Sequence, residues 1–154
     1  MEPGMVIDTF SGRYRFLSNF APSPIVAVGI RFPTVEHAFQ ALKSTSRSDW
    51  EKIAMLPTPG LAKRAGRGLA LRSNWSEVRV AVMTTLVLLK FCTHVDLQRR
   101  LVATAPATLI EGNTWGDRFW GVCGGVGENN LGKILMYARD LAAAGCLPHT
   151  AMPQ

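Results

Sequence analysis

The sequence predicts a mainly α fold with a small β-hairpin or sheet element (α+β), and three observations predict it. Apolar residues recur at helical spacing in two clear stretches: Val35, Ala38, Phe39 and Leu42 in one, Val78, Val82, Leu86 and Leu89 in the other. Helix start and stop residues bracket several stretches of this kind, with Ser or Thr in front and Pro or Gly behind. Runs of strand character are few and short, at residues 25–28, 30–32 and 108–110.

Taken in order, residues 1–9 read as a loose lead-in. Residues 10–16 mix Phe10, Tyr14 and Phe16 with Arg and Gly, and read as a strand or turn. Ile25 to Val28 form a short strand, Gly29 turns it, and Ile30-Arg31-Phe32 return as a hairpin arm. Pro33 closes that arm, and Thr34 is placed to cap a helix that begins at Val35. Ser48-Asp49-Trp50-Glu51 has the capping-box pattern and starts a second helix that runs to about residue 56. Thr58 caps a third helix with Pro59 in its first position. Lys63, Arg64 and Arg67 make that helix basic before Gly66 and Gly68 end it. The longest helix, about 76–93, is apolar nearly all round and is expected at the centre of the core. A helix at about 96–103, a short strand at 108–110 and a last amphipathic helix at about 130–144, stopped by Gly145, complete the count. The tail from Cys146 to Gln154 reads as flexible.

Composition bounds the function. At 154 residues, 47% apolar and 18% charged, the chain is expected to be one globular domain with a core of its own. No apolar run approaches the roughly 20 residues that cross a bilayer. The N-terminus lacks a basic segment followed by an apolar run, so no signal peptide is expected. Three widely spaced cysteines, Cys92, Cys123 and Cys146, argue against a disulfide framework and a thiolate metal cluster, and point to a reducing, cytoplasmic setting. The net charge is +6, and twelve of the seventeen basic residues are Arg, the side chain that grips phosphate or carboxylate through two bonds. An anionic partner, nucleotide or nucleic acid, fits this charge; so does solubility alone.

Two stretches could carry chemistry. Glu36, Gln40 and Lys43 fall at i, i+4 and i+7, one polar row on the first helix. A carboxylate, an amide and an amine in one row suggest a site, while the same spacing also suits a solvated face with helical ion pairs. His37 points about 100° away from Glu36 and reads as a structural histidine. The second stretch, residues 111–132, crowds seven glycines with Trp115 and Trp120 ahead of a helix start. Such a loop can bring backbone N–H groups onto a phosphate, or it can be an ordinary turn-rich surface loop; it is neither a Walker A loop nor a Rossmann fingerprint. Asp117 beside Phe119 and Trp120 either stacks and charges a substrate site or pins the loop to the core. Glu111 is either a third site carboxylate or a solvated strand end. No His-x-x-x-His pair occurs, and neither a metal nor a cofactor is expected. Cys123 is the one thiol worth testing for reactivity.

Several of these stretches, in order, resemble the YbiA/NADAR family: Leu17-Ser18-Asn19-Phe20, then Phe32 to Lys43 with its Glu-His-x-Phe-Gln-Ala-x-Lys string, then Leu89-Lys90-Phe91, Leu109-Ile110-Glu111, Asp117 to Gly121, and Asn129 to Met136. Phe32 stands where many members carry Trp. The resemblance spans about residues 10–141 and implies a mostly helical, single catalytic domain over 10–145. It implies an N-glycosidase that cleaves a ribosyl C–N bond, either in phosphorylated aminopyrimidine intermediates of the riboflavin pathway or in ADP-ribose attached to guanine. Carried over position by position, it implies Glu36, Lys43 and Asp117 as catalytic residues. Asn19, Gln40, Trp120, Gly121 and Asn129 become substrate-binding or supporting residues. Cleavage of that bond needs an anion near the sugar cation, a proton donor near the leaving amine and an activated water or nucleophile. The implied partner is an ADP-ribosyl or ribose-phosphate substrate, including ADP-ribosylated nucleic acid. The rival reading is a non-catalytic module that binds ADP-ribose, nucleotide or nucleic acid.

Overall fold

The computed structural model describes residues 4–153. In chain order the elements are β1 (Val6–Ile7), a 3-10 helix (Gly12–Leu17), β2 (Ile25–Ala27), β3 (Ile30–Phe32), α1 (Val35–Ala41), α2 (Arg47–Ala54), α3 (Pro59–Gly66), α4 (Trp75–Thr93), α5 (Val95–Val102), β4 (Thr108–Leu109), β5 (Gly112–Asn113), β6 (Val122–Cys123) and α6 (Asn130–Ala143). Helices dominate, as the hydrophobic spacing predicts; among the described residues the strands form three two-stranded pairs, of which the β2–β3 hairpin is the one expected. No single helix among the described residues is long and apolar enough to cross a membrane. The chain divides into two compact units: a middle unit of Asn19–Thr93 with residues 150–153, and a terminal unit of residues 4–18 with His94–His149.

In the middle unit, β2 and β3 pair antiparallel with Ile25 opposite Phe32. Their connection uses left-handed backbone at both Val28 (φ 49°) and Gly29 (φ 74°), which matches the twist of a two-residue hairpin. Thr34 caps α1, accepting the His37 N–H at 3.1 Å. All seven residues of α1 are buried, and the helix packs against α2, α3 and α4. Phe39 meets Trp75 of α4 with ring centroids 5.1 Å apart. At the other end of α1, the Arg72 guanidinium donates to the carbonyls of Leu42 (2.8 Å) and Ser44 (3.1 Å), and the Arg72 N–H donates to that of Lys43 (2.7 Å). One arginine thus satisfies three carbonyls of the C-cap and turn that follow α1. Thr58 and Pro59 start α3 as expected, with Thr58 accepting the Leu61 N–H at 3.2 Å.

Three elements differ from expectation. Residues 10–16 are expected as a strand or turn, yet Gly12–Leu17 wind into the 3-10 helix, which buries Phe16 and Leu17 on one side. The capping box at Ser48 does not form; Ser46 precedes α2 and Ser48 lies inside it. Helix α4 buries one stripe, Trp75, Met83, Leu86, Val87, Lys90 and Phe91, and leaves Val80 40% exposed, so it is not enclosed all round.

In the terminal unit, β1 lies within the expected lead-in and pairs parallel with β4, Val6 opposite Thr108 and Ile7 opposite Leu109. Helix α6 packs on β4 and α5 through Leu131, Ile134, Leu135 and Ala138. Its Arg139 donates to the Thr104 hydroxyl (3.0 Å) and the Ala107 carbonyl (2.7 Å), tying down the connection before β4. Leu147, in the expected flexible tail, is buried. Of the residues expected as lead-in and tail, 1–3 and 154 lie outside the described residues.

Lys90 is the least conventional residue of this core. Its side chain is 1% exposed, and burial lowers its pKa from the ordinary 10.5 to about 7. Between those two values the unfolded chain holds a proton that the native chain does not, so stability rises with pH across that window and is flat below it. Chemical denaturation at a series of pH values should show stability rising between pH 7 and 10 by up to about 1.4 kcal/mol per pH unit. Lys90→Met should remove that component of the slope; an unchanged slope would exclude Lys90 as its source.

Candidate functional site

The polar row on α1 is not a solvated face. Glu36 is 7% exposed and Gln40 4%, so the spacing has placed a carboxylate and an amide inside the protein. Gln40 Nε2 donates to Glu36 Oε1 at 2.7 Å. Turning the amide over would set oxygen against oxygen, so this orientation is the one that suits an ionised carboxylate. The Gln40 Oε1 that results has no hydrogen-bond partner among the described residues and lies against Gly66 of α3. Asn19 stands at the start of the same helix. Its carbonyl accepts the Glu36 N–H at 3.2 Å and its Nδ2 lies 3.3 Å from Met83 Sδ.

Lys43 is half-buried, with Nζ 5.9 Å from the centre of the Phe39 ring. Burial lowers its pKa most; the Glu36 carboxylate opposes that, and the Arg67 and Lys63 charges add to it. The amine is therefore easier to deprotonate than an ordinary lysine. Lys63, Gly66 and Arg67 of α3 are thus neighbours of the row on α1. Sequence reading registers α3 as basic but does not join it to Glu36; a glycine between two cations in a helix was the available signal.

His37 does what its expected structural role requires. The Leu56 carbonyl can only accept, so Nε2 carries the proton and donates to it at 2.9 Å, while Nδ1 accepts from the Thr34 hydroxyl at 2.7 Å. Burial lowers its pKa, against a smaller opposing effect of the Leu56 bond. A neutral, doubly bonded imidazole is held there.

The other expected residues lie in the terminal unit. Asp117 Oδ1 accepts the backbone N–H groups of Phe119 (3.1 Å) and Trp120 (2.8 Å), and Asn113 braces the same turn from both sides by accepting the Asp117 N–H (3.0 Å) and donating to its carbonyl (2.8 Å). Phe119 and Trp120 meet edge to face, centroids 4.8 Å apart. Asn129 has left-handed backbone (φ 55°) and uses its side chain as a backbone mimic: Oδ1 accepts from the Glu111 N–H and Nδ2 donates to the Leu109 carbonyl, each at 2.9 Å. Asn129 therefore supports the loop. Gly121 permits a close pass, since a Cβ there would stand 2.1 Å from the Glu111 carbonyl oxygen.

The glycine loop does not present the phosphate cradle that its composition suggests. The N–H groups of Glu128, Asn129, Asn130 and Leu131 donate to the carbonyls of Arg118, Gly121, Phe119 and Trp120, so the start of α6 is closed by its own loop. Among the described residues, no three His, Cys, Asp or Glu side chains gather as metal ligands would. Cys123 is half-buried in this loop. A cavity of about 240 Å³ in the same unit is lined by Arg13, Tyr14, Phe16, Arg100, Ala103 and Thr104, and contains none of the expected site residues.

With fold and geometry in hand, comparison with known proteins gives the class. The NADAR domain profile matches residues 8–141, and the chain belongs to the NADAR family. It is 42% identical over 136 residues to N-glycosidase YbiA of Escherichia coli, covering 86% of this chain and 84% of that protein. It is 38% identical over 134 residues to an N-glycosidase of Nostoc punctiforme, covering 82% and 85%. A riboflavin biosynthesis protein of Vibrio vulnificus matches at 37% over 128 residues, 81% of this chain and 35% of that longer protein. The solution NMR structure of E. coli YbiA superposes with a TM-score of 0.85 at 37% identity, covering 100% of this chain and 94% of that one.

The contact between α1 and α3 makes a sharp prediction. A Cβ on Gly66 would lie 1.9 Å from Gln40 Oε1, whereas on Gly60 it would meet nothing closer than 3.9 Å. Gly66→Ala should destabilise the protein by about 1–3 kcal/mol through overpacking. Gly60→Ala, one and a half turns earlier in the same helix, should be neutral or stabilise by about 0.5–1 kcal/mol. Urea denaturation of the two variants checks the contrast.

Proposed function

We propose that this chain is an N-glycosidase that hydrolyses the ribosyl C–N bond of a phosphorylated substrate, acting as one catalytic domain over residues 10–145. The observation that carries the reading is the buried Glu36 carboxylate, held by the Gln40 amide and placed beside the half-buried amine of Lys43. The names of the E. coli and Nostoc relatives support the reaction class, and the name of the Vibrio relative supports an aminopyrimidine ribose phosphate of the riboflavin pathway as substrate. ADP-ribose on guanine has the same bond type and is the second substrate to test. Three free thiols fit work in a reducing compartment such as the cytoplasm.

As the C–N bond breaks, positive charge grows at the anomeric carbon. Glu36 stabilises that charge or activates the attacking water, and Gln40 fixes its orientation. Asp117 assists proton transfer to the leaving amine through Oδ2 while Oδ1 shapes the loop, and Trp120 supplies a stacking surface. Asn19 positions the start of the catalytic helix; Gly121 and Asn129 hold the substrate loop in shape. In the alternative route through Lys43, the C1–O4 bond opens first and leaves C1 as an imine of the leaving amine. The neutral Lys43 amine adds to C1, the leaving amine departs with the proton that Lys43 gives up, and water hydrolyses the Lys43 imine that remains.

Incubating the protein with the aminopyrimidine ribose phosphate and with ADP-ribosylated guanine DNA should release the sugar from at least one. Glu36→Gln should reduce that turnover roughly 10²–10⁴-fold with circular dichroism unchanged. Unaltered turnover in Glu36→Gln would remove the assignment, and binding without release would identify a non-catalytic module. Borohydride added during turnover should leave a sugar adduct on Lys43, seen by mass spectrometry and absent in Lys43→Met. Lack of an adduct would restrict Lys43 to an electrostatic role.

A further inference from the structure

We infer that Lys63 and Arg67 of α3 form an anion site beside Glu36, one that holds the phosphate of the substrate. The inference rests on the N-glycosidase reading and adds to it which residues select a phosphorylated sugar.

The geometry begins at Gly66. Its backbone lies directly on the Gln40 side chain, so α3 crosses the α1 row at its midpoint. Lys63 in α3 and Arg67 at its C-cap are four residues apart and lie on one side of the helix, one before and one after Gly66 in the chain. Both charges reach the Lys43 ammonium, and so does Glu36, so four ionised groups share one neighbourhood with cations in excess. Lys63 is half-buried with Nζ 5.9 Å from the centre of the Phe20 ring, next in the chain to Asn19. Arg67 is exposed, and its guanidinium has no carboxylate partner among the described residues. Two like charges on one helical face repel each other, and an anion bound between them removes that repulsion.

Charge distribution and the state of the alternative site agree. Residues 19–93 contain ten Lys or Arg and four Asp or Glu, while the rest of the chain contains seven of each, so the whole net charge of +6 lies in the segment with Glu36. The helix start that seemed suited to phosphate, at α6, has its N–H groups engaged by loop carbonyls. The ligand chemistry is a phosphomonoester or diphosphate: the Arg67 fork bonds two oxygens at once and Lys63 adds a point charge.

Two measurements test this on the full chain. The first compares kcat/KM for the phosphorylated riboside and for the same compound after phosphatase treatment, in wild type and in Lys63→Ala/Arg67→Ala. The double variant should lose roughly ten- to a hundredfold more on the phosphorylated substrate than on the dephosphorylated one, chiefly through KM, beyond any loss common to both that comes from Lys43. Equal losses on both, or none, overturn the site. The second titrates inorganic pyrophosphate by calorimetry. Binding by wild type that the double variant lacks supports the site even if no C–N cleavage is found; equal binding by both overturns it even if cleavage is found. An unmodified oligonucleotide is the third ligand. Tighter Lys63- and Arg67-dependent binding of it than of pyrophosphate would reassign the pair to a nucleic-acid backbone and overturn the substrate role.

Discussion

Burying a carboxylate, an imidazole and an amide within one seven-residue helix is the constraint on which the middle unit depends. Each buried polar group must find a partner or forfeit its hydration. Glu36 and Gln40 satisfy part of this between themselves, at the i, i+4 distance that only a helix supplies. His37 is matched by Thr34 on one side and by the end of the α2 region, at Leu56, on the other. A helix so short has little stability of its own, since most of its backbone groups are end groups. Thr34 and the Asn19 carbonyl therefore satisfy its start, and Arg72 holds the turn that follows it. Holding the start of the helix and the turn after it fixes where Glu36 and Lys43 project.

The terminal unit meets the same demand by a different route. Its loop from Glu111 to Asn130 has almost no regular structure, so its backbone groups need side chains or one another as partners. Asn113, Asp117 and Asn129 provide those side chains, each engaged with backbone at 3.1 Å or less. Close approach of chain segments then dictates glycine at Gly121 and at two further places. At Gly127 a Cβ would stand 2.1 Å from the Gly121 carbonyl oxygen, and at Gly132 it would stand 2.2 Å from that of Leu109. Close packing explains Gly121, Gly127 and Gly132, and left-handed backbone explains Gly116, Gly124 and Gly125, so the composition that resembles a phosphate cradle has another physical origin.

Much of this was legible in the chain alone. Thr34, Thr58 with Pro59, and the break at Gly29 announce their elements because capping and left-handed turns act over three or four residues. The row Glu36, Gln40 and Lys43 follows from helical period, but whether it faces water or protein does not, because that depends on what packs against it. Gly66 decides the matter, from a helix more than twenty residues further on, through a contact no local pattern encodes. Ser48 misled for the converse reason: the box pattern is local, yet the Ser44 hydroxyl bonds to Asp49 at 2.6 Å and the helix begins earlier. The double duty of the Asn129 side chain as a strand mimic was equally out of reach, since its partners are 18 and 20 residues away.

Burial lowers the pKa of both unusual lysines, alone in one and with charged neighbours in the other. Lys90 is fully enclosed, and burial alone brings its pKa to about 7. Lys43, just past the end of α1, is only half enclosed; burial still lowers its pKa most, and the Glu36 carboxylate and the Arg67 and Lys63 charges act on it as well. A group placed between opposing charges changes state when either side is altered, while a group governed by enclosure changes only when the core opens. An anion arriving beside Lys63 and Arg67 would offset the two charges that help to depress Lys43 and leave burial and the Glu36 carboxylate opposing one another. Salt screens the exposed Arg67 more than the half-buried Lys43, so the balance set by Glu36 persists at ionic strengths where long-range attraction to an anionic ligand has faded. The α1 row thus carries the part of the electrostatics that lasts, and α3 the part that responds to what binds.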